Sequence, residues 1–150
     1  MCFKKIKDII GGLVYPDKTV DVISPQNRIP RGNITFRAAD GILEVSGFLN
    51  SLWVTPVANT KSMDPVIDSI HIALLEEYPQ YKDGFGFGDL CVGDIIGYEV
   101  YPKIILHRII AINEYEGGRI YTCRGDNTAG QDPYAIGDVH VKWVLVGILY

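Results

Sequence analysis

What this chain has little of narrows its function first. Its three cysteines, Cys2, Cys91 and Cys123, form no Cys-x-x-Cys pair, so neither a disulfide framework nor a zinc-ligand set is expected, and they read as buried, reduced thiols. Basic charge is scarce: 14 Lys and Arg stand against 18 Asp and Glu, a net charge of -4 over 150 residues. That balance offers no electrostatic footprint for nucleic acid, which is not expected as a partner. No run of ~18 uninterrupted apolar residues is present, and the N-terminus lacks the apolar centre of a secretory signal, so a soluble, cytoplasmic protein is expected. No His or carboxylate pair has zinc or calcium-loop spacing, so no metal and no cofactor is expected. What remains, 47% hydrophobic and 21% charged, suits a single domain with a real core.

Patterning predicts a mainly β chain. Phe3, Ile6, Ile10 and Leu13 recur at helical spacing and Gly11-Gly12 ends the pattern, which predicts a short N-terminal helix. Residues 15–32 hold Pro16, Pro25 and Pro30 and read as loop with at most one edge strand. Residues 34–38 and 42–46 alternate in the strand manner across Asp40-Gly41, a hairpin signal. Leu52 to Val57 predicts another strand, and Ile67 to Leu75 is apolar without strict alternation, open to strand or helix. Tyr78 to Gly88 is a glycine-rich aromatic loop, read as a solvated insertion or a lid. Residues 94–100, 104–113, 119–123 and 139–148 are strand-like, with a Glu116-Gly117-Gly118 turn.

Three segments carry chemistry. Thr60-Lys61-Ser62-Met63-Asp64-Pro65 sets a hydroxyl in a polar turn between apolar runs; Leu106-His107-Arg108-Ile109-Ile110 places an imidazole in an apolar strand; Arg124-Gly125-Asp126-Asn127, with Asp132 shortly after, supplies carboxylates. In that order they offer a nucleophile, a base and an acid to orient it. A serine hydroxyl needs a base within hydrogen-bond reach, and imidazole, with an ordinary pKa of ~6.5, is suited. His107 is the natural base and Lys103 the runner-up; either Asp132 or Asp126 fits the orienting role. Simpler roles exist for each: Ser62 as a turn residue beside proline, His107 as a strand residue, the two aspartates as turn closers. His71 and His140 read as core-edge or surface residues, and Lys61 as solvated or as a contact for an anionic substrate.

Taken together, Ser62-Met63-Asp64-Pro65, Val92-Gly93-Asp94-Ile95-Ile96, Leu106-His107-Arg108-Ile109-Ile110, Arg124-Gly125-Asp126-Asn127 through Asp132, and Val146-Gly147 resemble the signal peptidase and LexA-type serine peptidases over roughly the last two-thirds of the chain. The resemblance implies a coiled, barrel-like antiparallel sheet and a serine endopeptidase that cleaves a peptide or preprotein through an acyl-enzyme. It implies Ser62 as nucleophile and His107 as base, as in the archaeal and endoplasmic-reticulum branch. Asp132 matches the final acid of that branch and Asp126 the acid inside the turn, while Thr60 falls where bacterial members place an oxyanion-hole hydroxyl, beside the Ser62 N–H. On this basis residues 1–48 form a helix, loop and hairpin of unassigned role, and residues 49–150 the catalytic domain, in one compact unit. The three groups are expected to converge at one edge of the sheet.

Departures from the family pattern favour a second class. No membrane anchor is read, the stretch from Ser62 to Gly93 is long, and the single Ala-Gly, Ala129-Gly130, lies inside the acidic motif rather than upstream of Ser62. A catalytically inactive binding or structural module, as in a virus or mobile element, is the alternative. Leu52, Trp53 and Val54 are candidates for peripheral membrane contact, with core strand residues as the simpler role.

Overall fold

The computed structural model describes residues 25–79 and 90–150. The expected N-terminal helix and nearly all of the aromatic glycine-rich loop fall outside those residues. A 3-10 turn at Arg31–Asn33 leads into the hairpin β1 (Ile34–Arg37) and β2 (Ile42–Val45). The two pair antiparallel, Ile34 opposite Val45, and Gly41 takes a positive φ of 66° at the turn, the conformation that the Asp-Gly signal supplies.

The remaining strands are β3 (Leu52–Pro56), β4 (Ile72–Glu77), β5 (Ile95–Val100), β6 (Lys103–Tyr115), β7 (Gly118–Arg124), β8 (Ile136–Gly137) and β9 (Val141–Leu149). They make one seven-stranded sheet in the order β3-β4-β9-β5-β6-β7-β8, antiparallel at every pairing. Among the described residues the sheet is open, with β3 and β8 at its edges, rather than the closed barrel that a barrel-like reading would suggest. The ambiguous stretch 67–75 divides: residues up to His71 form turns, and the strand begins at Ile72. No helix among the described residues is long and apolar enough to cross a membrane.

Alternation on β5 and β6 feeds two cores. Ile96, Tyr98 and Ile109 pack with Tyr121, Cys123, Ile136, Val141 and Val144, while Ile95 packs with Met63, Ile67, Ala73, Leu75 and Leu145. Burying each such large side chain contributes about 1.5–3 kcal/mol. The second core fixes the site, because Met63 and Ile67, 3% and 1% exposed, pin the turn that carries Ser62. Register shifts at Gly97/Tyr98 and Ile109/Ala111 lie on either side of the His107 ladder position, and bulges of this kind bend a strand and re-aim its side chains.

Two expectations are corrected. Cys91 is disulfide-bonded, so the cysteines are not three free thiols; Cys123 is free and buried. Trp53 and Val54 are 42% and 53% exposed rather than core, because among the described residues β3 is an edge strand paired with β4 alone. Trp53 leans on Trp143, ring centroids 5.3 Å apart.

Candidate active site

The turn between β3 and β4 presents Ser62. Lys61, just before it, sits at φ 59°, a left-handed conformation that costs a non-glycine residue roughly 1–2 kcal/mol and that persists only where neighbouring structure holds it. Asn127 supplies that hold: its backbone N–H donates to the Ser62 carbonyl at 2.9 Å, and its side-chain amide donates to the Lys61 carbonyl at 2.9 Å. The Gly125–Asn127 loop after β7 thus clamps the serine turn across a long sequence separation. Gly125 must be glycine for this approach, since a Cβ there would lie 2.5 Å from the Ser62 carbonyl oxygen and 2.9 Å from His107 Nε2.

His107 lies on β6 opposite Ile96 of β5. Its Nε2 is 3.0 Å from Ser62 Oγ, and its Nδ1 is 2.8 Å from Asp132 Oδ2 and 3.0 Å from Oδ1. With Asp132 accepting from Nδ1–H, Nε2 is left as the acceptor for the serine proton, the tautomer that a general base requires. His107 and Asp132 side chains are each 11% exposed, so the pair is shielded from water without being sealed. Thr60 Oγ1 stands 3.1 Å from Ser62 Oγ, and either hydroxyl can be the donor of that pair. The backbone N–H of Ser62 makes no hydrogen bond to a backbone group among the described residues.

Of the expected residues, Ser62, His107, Asp132 and Thr60 come together. Asp126 does not join them: its carboxylate takes a two-pronged contact from Arg108, Nε to Oδ1 at 2.8 Å and the terminal nitrogen to Oδ2 at 2.7 Å. Arg108 also donates to the Gly93 carbonyl at 2.8 Å. A guanidinium beside the turn captures the nearer acid, so Asp126 braces the loop, and Asp132 alone orients His107. The site also does not lie at a sheet edge, because β6 is an interior strand. Lys103 is exposed at the start of β6, four residues from His107, and the basic group within hydrogen-bond reach of Ser62 Oγ is the histidine. His71 accepts from the Asp68 N–H at 2.8 Å and stacks edge-on with Tyr150, and His140 accepts from the Gly137 N–H; both are structural.

No family model, curated protein or solved structure matches this chain. The site therefore speaks through its own geometry. Among the described residues, no cluster of His, Cys, Asp or Glu could hold a metal ion.

One contributor carries no mark in the sequence. Tyr98 of β5, fully buried, donates its hydroxyl to Asp132 Oδ2 at 2.6 Å. Burial, then the bond to the Asp132 carboxylate, raises the tyrosine pKa, so it stays protonated and donating. Cys123, behind Asp132, has its thiol pushed up to about 12, by burial first and then by that same carboxylate. A tyrosine in an apolar strand carries no signal for such a partner; only the strand register brings β5 under the loop after β7.

Proposed function

We propose that this chain is a serine endopeptidase of the signal-peptidase type, in which Ser62 attacks a peptide carbonyl and forms an acyl-enzyme. The observation that carries the reading is the unbroken run of hydrogen bonds from Ser62 Oγ through the His107 ring to Asp132. His107 takes the serine proton as the Oγ–carbon bond forms, and returns it to the leaving amine as the peptide C–N bond breaks. Water then enters by the same route and releases the acyl group. Asp132 stabilises the imidazolium in between. The developing oxyanion is met by the Ser62 N–H and by the Thr60 hydroxyl, which turns from Ser62 Oγ to the new charge. The family's fold type, a peptide or preprotein substrate and a preference for small residues before the cleaved bond belong to the same proposal and rest on the motif resemblance.

The test is to incubate wild type and Ser62→Ala with a peptide library and with detergent-solubilised preproteins, mapping products by mass spectrometry. Products that depend on Ser62 are expected. None in either pool, with a folded and monodisperse wild type, would favour the inactive binding module.

A further inference from the structure

We infer that Tyr98 is a positioning residue for the candidate triad, setting both the orientation of Asp132 and the share of its negative charge that reaches His107. The inference rests on the peptidase reading of the site. Asp132 Oδ2 is shared between two donors, Tyr98 OH at 2.6 Å and His107 Nδ1 at 2.8 Å. The carboxylate cannot rotate about its side chain without breaking the tyrosine bond, and Tyr98 itself is locked, 0% exposed, in the core beneath the sheet. The backbone N–H of Asp132 is tied to the Cys123 carbonyl at 2.8 Å. The groups that face the acid come from three strands. From β6 comes His107, from β7 the neutral Cys123 thiol, and from β5 the hydroxyl that contacts Oδ2; Tyr134 of the following loop acts on that tyrosine, adding to the rise of its pKa. Among the described residues, no lysine or arginine forms an ion pair with Asp132, so the tyrosine is the group that competes with imidazolium for its charge.

The sign follows. A hydrogen bond to the carboxylate lowers its power to stabilise imidazolium. Tyr98→Phe removes that bond while keeping the ring, so imidazolium gains and the base is freed at higher pH. The acylation rate of Ser62 by a fluorophosphonate, measured from pH 5 to 9, should have its midpoint moved up by about 0.5–1 pH unit and its plateau lowered about tenfold as the acid loses its fixed orientation.

Tyr121→Phe is the control. Tyr121 is equally buried in the same core, but its hydroxyl donates to Asp138, so losing a buried hydroxyl there should leave the midpoint in place. Ring titration of His107 by NMR, in Ser62→Ala with and without Tyr98→Phe, reads the same coupling independently of catalysis and should show the same upward move. Profiles for Tyr98→Phe that superimpose on wild type, or that move no further than Tyr121→Phe, with an unchanged ring titration, would overturn the inference while leaving the peptidase reading intact. An unlabelled but folded wild type would instead remove the peptidase reading, and the NMR titration would still decide whether Tyr98 tunes His107.

Discussion

Gly125→Ala is the sharpest steric test of the arrangement. The added Cβ would fall 2.5 Å from the Ser62 carbonyl oxygen, 2.9 Å from His107 Nε2 and 2.9 Å from Thr128 Cγ2. Ordinary contact begins near 3.4 Å, so the carbonyl must retreat by about 0.9 Å and the imidazole by about 0.5 Å. Neither moves freely: the carbonyl accepts the Asn127 N–H at 2.9 Å, and Met63, next in the chain, is pinned in the core. Relief must come from widening the 3.0 Å contact between Ser62 and His107. A misplacement of that size costs roughly 10- to 100-fold in rate, and the crowding costs about 1–3 kcal/mol of stability. The assay pairs the second-order rate of fluorophosphonate acylation with urea unfolding. Gly130→Ala, where a Cβ meets nothing within 4 Å, should behave as wild type in both. A Gly125→Ala protein that labels at the wild-type rate with wild-type stability would refute the close approach of the two loops.

The two aspartates should separate by assay. Asp126→Ala removes the two-pronged contact to the buried Arg108 guanidinium and should lower urea stability by about 1.5–3 kcal/mol. Asp132→Asn should leave the fold standing and slow acylation by about 10³- to 10⁴-fold; the reverse pattern would exchange their roles. Cys123 should resist alkylation in the native protein at pH 8 to 9 and react on unfolding, because its thiol is pushed up to about 12 from an ordinary 9.0. Since the folded value is the higher one, the stability it contributes is whole below pH 9.0 and is lost as pH rises towards about 12. Native-state alkylation that tracks an ordinary thiol titration would count against the burial.

Much of the site is legible in the sequence because its chemistry is carried by residue types in a fixed order. A serine beside a proline turn, a lone histidine in an apolar strand and a carboxylate after a Gly-Asp-Asn turn can each be named without any fold. The choice between Asp126 and Asp132 cannot, since it is made by Arg108, whose reach across from β6 depends on strand register. Tyr98 and the close approach of Gly125 are hidden for the same reason: both depend on which loop lies over which strand. In the fold, Asp40-Gly41 announces its hairpin, while β8, two residues long, carries too little pattern to be seen. The insertion of β9 between β4 and β5 is a long-range pairing that local sequence does not encode. Trp53 and Val54 read as core because their strand is apolar; nothing local says that it lies at an edge.

The most direct measurement is intact-mass and peptide-level mass spectrometry of the full chain after exposure to a fluorophosphonate. A single adduct on Ser62 is predicted, absent in Ser62→Ala and reduced to background in His107→Ala, with both variants folded as judged by circular dichroism. A folded wild type that takes up no adduct, or one labelled equally well without His107, would contradict the proposal that Ser62 is a nucleophile activated by that histidine.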